Sequence, residues 1–259
     1  MEPSAFTNHV AQRFKQALPG YEIAIKGPLT LIVKGVSGQE MMQANLDTVY
    51  SFCQRNAPRC EDAIERQSSA IIDTVKHSGT APQRSQLRAV LRPSAYIEQL
   101  RKQGGAPVAV PFMGDLWVAS VVDFPTQVRF LNTKDLSSLS LSSAEAIDLA
   151  KRNVVAALPP LASVTRDLPA RGIGTINGDA YEASRLLFVD MWAPLAKRFG
   201  GKLIVSAPAT DFVLYSSEND PITIDALGAL ARKIATRAQR PVSFAVLQWS
   251  PTGWMQVSP

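Results

Sequence analysis

A chain of 259 residues, 46% hydrophobic and 19% charged, carries enough apolar material for a buried core and lies outside the low-hydrophobicity regime of disordered proteins. Its net charge of +5 arises from 27 basic and 22 acidic residues dispersed along the sequence, which argues against a dedicated nucleic-acid-binding surface. No run reaches the ~18 apolar residues needed to span a bilayer, and Met1-Glu2-Pro3-Ser4 lacks the basic and apolar regions of a signal peptide, so no targeting segment is expected.

The first element is a helix capped by Ser4, with Phe6, Val10, Phe14 and Leu18 on one face and Pro19-Gly20 at its end. Strands Tyr21–Ile25 and Leu29–Lys34 follow around Lys26-Gly27-Pro28, then a helix ending near Cys53 and another from about Cys60 to Lys76. These compose an α-β-β-α lobe over residues 1–80, closed by the linker Ser78-Gly79-Thr80-Ala81-Pro82-Gln83. Cys53 and Cys60 are the chain's two cysteines, and Pro58 reverses the backbone between them. They read either as a disulfide, which would point to an oxidising compartment such as a bacterial periplasm, or as two partly buried thiols in a cytoplasmic protein.

A larger mixed lobe, 81–259, begins with a strand at Leu87–Leu91 and a helix from Pro93-Ser94 to about Lys102. Strands are expected at Val108–Val110, Leu116–Val122 and Gln127–Leu131, the last two joined by a turn at Asp123-Phe124-Pro125-Thr126. Ser142 and Glu145 form a capping box for a helix bearing Ile147, Ala150, Val154 and Leu158, which Pro159-Pro160 closes. Asn177-Gly178 predicts a hairpin between strands Ile173–Ile176 and Ala180–Ala183, followed by a helix from Ser184 to Phe199 in which Pro194 marks a kink or late start. Strands Lys202–Ala207 and Phe212–Ser216 lead to Asp220-Pro221, a cap and first-turn proline for a helix with Ile224, Leu227, Leu230 and Ile234 on its buried stripe. Strands Val242–Trp249 and Trp254–Val257 end the chain. The expected fold is α+β, in two-layer lobes of helix on sheet. Ala11-Gln12-Arg13-Phe14 and Ala196-Lys197-Arg198-Phe199, each closing a helix before two strands, leave open a duplicated α-β-β-α unit.

Val121-Val122-Asp123-Phe124-Pro125, the helix with Ala150-Lys151-Arg152-Asn153, the stretch Tyr181-Glu182-Ala183-Ser184-Arg185-Leu186-Leu187 with Trp192, and Ala207-Pro208-Ala209-Thr210-Asp211 recur here in a fixed order. With Phe6, Leu18-Pro19 and Pro28-Leu29-Thr30-Leu31 near the start, this order resembles the YtpQ-like family of uncharacterised bacterial proteins over nearly the whole chain. The resemblance implies a fold and a bacterial origin, and no catalytic residues, because the family has no established activity. One departure is at Pro208-Ala209-Thr210-Asp211, where threonine stands in place of the arginine that the resemblance leads one to expect.

No nucleophile elbow, phosphate-binding loop or zinc-protease spacing occurs. Gly172-Ile173-Gly174-Thr175-Ile176-Asn177-Gly178 has the wrong glycine spacing for a dinucleotide loop. No metal site and no cofactor is expected, since His9 and His77 are remote from each other and from the cysteines. Asp123, Asp190 and Asp211, beside element ends, are the candidates for acid–base work, and their alternative is a turn or cap role. Arg232, Lys233 and Arg237, with Arg240 beyond them, form the one basic concentration, which reads as a solvated helix face or as an anionic contact. Trp254, beside a terminal loop, is either a hairpin aromatic or an exposed partner contact. Two functions follow: a protein- or peptide-binding protein, which the absence of a nucleophile constellation favours, and a hydrolase built on the aspartates. The oligomeric state is not legible.

Overall fold

In the computed structural model, which describes residues 1–35, 38–77, 81–124, 128–165 and 172–258, the first apolar stripe forms helix α1 (Pro3–Ala17). Ser4 is not its cap. The helix begins at Pro3, whose fixed φ suits a first helical position, and the flanking Glu2 makes no side-chain capping bond. Antiparallel strands β1 (Glu22–Gly27), β2 (Thr30–Lys34) and β3 (Glu40–Asn45) follow in that spatial order. Strand β3 had no signal in the sequence, because Glu-Met-Met-Gln-Ala-Asn has ordinary helix-forming composition and is extended only through its pairing with β2. Helices α2 (Asp47–Arg55) and α3 (Cys60–His77) complete the unit. Phe6, Val10, Phe14 and Leu18 of α1 pack with Leu31 and Val33 of β2, and with Ile64 and Val75 of α3, in one core.

The sulfurs of Cys53, in the last turn of α2, and Cys60, the first residue of α3, lie at disulfide distance, 2.08 Å, with their Cα atoms 4.6 Å apart. A turn of 3₁₀ helix at Ala57–Arg59, entered through Pro58, makes the reversal between them. Closing so short a loop contributes at most ~2–3 kcal/mol, so it fixes this corner more than the whole unit. The expected linker falls partly on residues 78–80, outside the described residues.

The contacts of the chain divide it into two compact units, Met1–Ala81 with Phe124–Gln127, and Pro82–Asp123 with Val128–Pro259. In the second, β4 (Leu87–Pro93) leads directly into α4 (Ser94–Lys102), then β5 (Ala109–Met113), β6 (Leu116–Asp123) and β7 (Val128–Phe130). Strand β6 pairs with β4 along one side and with β5 and then β7 along the other, all antiparallel. The expected turn after Asp123 lies partly outside the described residues. Helices α5 (Thr133–Leu139), α6 (Ser143–Ala157) and α7 (Leu161–Val164) follow, and α6 carries the Ser142–Glu145 capping box and packs on β4 and β6 through its apolar stripe.

Beyond these lie β8 (Ile173–Asn177), α8 (Ala193–Arg198), β9 (Ile204–Ala209), β10 (Phe212–Ser216), α9 (Pro221–Ala235), β11 (Val246–Ser250) and β12 (Gly253–Ser258). The strands form an antiparallel sheet in the order β12-β11-β9-β10-β8, with α9 packed on one face through Leu227 and Ala231. As expected, Asp220 caps α9, accepting from the N–H groups of Ile222 and Thr223. The fold is thus α+β, with helices on antiparallel sheets.

Two expectations fail between β8 and α8. Asn177-Gly178 does not make a hairpin: the Asp179 side chain accepts from Tyr181 N–H at 2.8 Å and turns the chain into 3₁₀ helix at Glu182–Leu187, while β8 pairs with the distant β10. The long helix Ser184–Phe199 is replaced by this segment, a second 3₁₀ turn at Val189–Trp192, and α8, which starts late with Pro194 in its first turn.

This irregular segment is largely buried, so its carbonyls need donors. Three indoles supply them: Trp192 to Arg185 O at 2.9 Å, Trp254 to Leu186 O at 2.8 Å and Trp249 to Val189 O at 3.1 Å. On its other side Ser184 Oγ donates to Ala89 O on β4 at 2.8 Å, and Asn153 of α6 reaches Leu87 O. The free edge of β4 is thereby occupied, and a further strand cannot pair there.

Candidate functional site

The alternation of β4 and β6 places Arg88, Val90 and Arg92 on the same sheet face as Trp117, Ala119, Val121 and Asp123, opposite to the face covered by α6. The pairing of β7 adds Val128 and Phe130 to this face. Helix α4 covers part of it through Ile97, which packs with Val90, Ala119 and Val121. Between α4 and residues Gln239–Pro241 the face is left open as a cleft of about 360 Å³. Val121, Val128 and Phe130 form its floor, Tyr96 stands on the α4 side, and Arg92 and Arg240 also line it.

Neither arginine has an ion pair among the described residues. Arg92 is half-buried, and its one described hydrogen bond runs to the carbonyl of Leu91 at 2.9 Å. Its pKa is pushed down to about 10, chiefly by desolvation; Tyr96 and Tyr181 oppose the shift, and the like charge of Arg240 adds to it. Tyr181 packs against the same sheet face, with the Asp123 carboxylate beside its buried hydroxyl. Burial first, and the Asp123 carboxylate second, push its ionisation well above the ordinary phenol range, so it stays a neutral donor. The cleft therefore offers two cations and an apolar floor.

Gln239 and Arg240 also line a second cavity, of about 400 Å³, with Asp179, Thr210 and Asp211 on its walls. Of the three aspartates singled out from the sequence, only Asp211 lines either cavity. Asp123 ends β6 with its carboxylate 3.8 Å from Arg88, and Asp190 is exposed in the 3₁₀ turn before α8. They sit on separate elements and are not assembled into one cleft. Asp179, which shares the second cavity with Asp211, went unread, because Asn-Gly-Asp looked like turn chemistry alone.

Trp254 is not an exposed partner contact. It is 7% exposed and packs edge-on against Trp192 with ring centroids 5.6 Å apart, its N–H committed to Leu186 O. Arg232 is engaged by Phe244, its guanidinium carbon 4.1 Å from the ring centroid. Lys233 and Arg237 are exposed near the C-terminal end of α9, where their charge complements the helix dipole. None of the three lines the cleft, whereas Arg240, just past them, does. Arg92 was missed; the available signal was Arg88 and Arg92 at even spacing in a strand whose other residues are apolar.

Among the described residues no group of three or more His, Cys, Asp and Glu side chains could hold a metal ion, and no helix is long and apolar enough to cross a membrane. Comparison with known protein families, with curated proteins and with solved structures finds no match for this chain.

Proposed function

We propose that the protein is a binding protein for a protein or peptide segment, and that the cleft on the β4-β6-β7 face is where the segment sits. The observation that carries this reading is the cleft itself: an apolar floor with two arginines in its walls that lack a carboxylate partner, in a unit whose candidate acid–base residues stand on separate elements. A hydrolase is the second reading, favoured by one observation, the shared cavity of Asp179 and Asp211. Strand addition to β4 is not the mode of binding, since that edge is already occupied.

Full-length chain immobilised and washed with a random-sequence heptapeptide pool is expected to retain a subset of peptides. The variant Ala95→Trp, which fills the cleft from an exposed position on α4, is expected to retain less than a tenth of that amount. Equal retention by both proteins would sink the cleft as the site. Cleavage of the retained peptides, lost in Asp211→Asn, would establish the hydrolase instead.

The paired cysteines support residence in an oxidising compartment, either a bacterial periplasm or the exterior, over a cytoplasmic location. The bacterial assignment rests on the YtpQ-like resemblance. Native protein alkylated without reduction should show neither cysteine modified by mass spectrometry. Two modified thiols would return the protein to the cytoplasm.

A further inference from the structure

Within the binding reading proposed above, on which this rests, we infer that the cleft recognises the free C-terminal carboxylate of a peptide whose last side chain is apolar or aromatic. Charge comes first. Arg92 and Arg240 both line the cleft and both lack an anionic partner among the described residues, so each gains most from an anion supplied by the ligand. The Tyr181 phenol, packed on the same sheet face, has the Asp123 carboxylate beside its buried hydroxyl and adds no charge of its own.

The second consideration is what must lie beside that anion. Arg92 projects from the face that carries Val121, Val128 and Phe130, so an anion held at Arg92 stands next to apolar surface. A terminal residue has its carboxylate and its side chain on one Cα, and fills both halves of such a site at once. A guanidinium takes a carboxylate through paired parallel N–H bonds, which a fixed strand position favours. The third consideration separates carboxylate from phosphate. The cost of desolvating an ion rises with the square of its charge, and a half-buried cleft with an apolar floor penalises a dianion more than a monoanion. The cavity of about 360 Å³ is at the small end of ligand sites, sufficient for a chain end rather than a folded partner.

The test uses isotopically labelled full-length protein and three random heptapeptide pools: free acids, C-terminal amides, and amides containing phosphoserine. The free-acid pool is expected to shift the side-chain Nε–H resonances of Arg92 and Arg240, and to bind at least ten-fold more tightly than the amide pool. Arg92→Met should reduce the free-acid affinity to that of the amides; Arg240→Met, at an exposed position, gives the same reading if the first variant perturbs the fold. Equal binding of acids and amides, abolished by Ala95→Trp, would overturn carboxylate recognition while leaving the peptide-binding reading intact. Tighter binding of the phosphoserine pool would overturn it in favour of a phosphopeptide site. If no pool shifts a cleft resonance, the binding reading itself fails and takes this inference with it.

Discussion

Replacing Arg185 by methionine should destabilise the protein by about 3–5 kcal/mol. Arg185 is fully buried, and its Nε lies 2.5 Å from the carboxylate of Glu182, itself 2% exposed. One terminal nitrogen donates to Pro159 O at 2.8 Å, and the other has no hydrogen-bond partner among the described residues. The pair is thus already incompletely satisfied, and its value lies in mutual neutralisation. Removing the cation leaves Glu182 charged in a dry interior and deprives the Pro159 carbonyl of its donor. The double variant Glu182→Leu/Arg185→Met removes both charges and should recover most of the loss. Urea unfolding of the three proteins measures this; a single variant within 1 kcal/mol of the parent, or a double variant no better than the single, would falsify the account.

The opposite sign is expected at Arg92. Arg92→Met should raise stability by roughly 1–2 kcal/mol while removing ligand affinity, the signature of a residue retained for function. A guanidinium depressed to about 10 bears a cost in the folded state whose upper bound is about 3 kcal/mol, and solvent reaching this half-buried group lowers that figure. The direction follows from linkage. The folded state holds the proton less tightly than the unfolded chain, so the cost is fully present below pH 10 and fades only as pH rises above about 10. The variant's advantage should therefore be constant from pH 5 to 9. Chemical denaturation at several pH values checks it, and a variant less stable than the parent throughout would show that Arg92 is a structural residue.

The helices that were legible in advance are those whose information is local. The stripe of α1, the Ser142–Glu145 capping box and the Asp220-Pro221 start of α9 each reside within a few consecutive residues, and each forms. Asn177-Gly178 carries an equally local signal and misleads, because β8 gains its partner from β10 and the intervening chain is held by side chains from distant elements. Strand β3 likewise exists only through its neighbour. The cleft was least legible of all. Its two arginines come from β4 and from the segment after α9, and nothing in the sequence between Arg92 and Arg240 indicates that they meet. The one trace was the even spacing of Arg88 and Arg92 in an apolar strand. Sequence spacing also scattered the aspartates without revealing that Asp123 is attended by Arg88.

The tryptophan-anchored segment imposes an order on the folding reaction. Its hydrogen bonds join residues 95 apart in sequence at Ser184 and Ala89, 68 apart at Trp254 and Leu186, and 60 apart at Trp249 and Val189. Residues 182–192 have little regular ladder of their own, and beyond local bonds such as Trp192 to Arg185 O their partners come from β4 on one side and from β11 and β12 on the other. Loop closure over such separations precedes the contacts that reward it, which makes this step slow and places it late. Until it occurs, the carbonyls of the segment and the edge of β4 stand open together. The interval before the indoles dock is therefore when a partly folded chain is most exposed to pairing with another copy of itself.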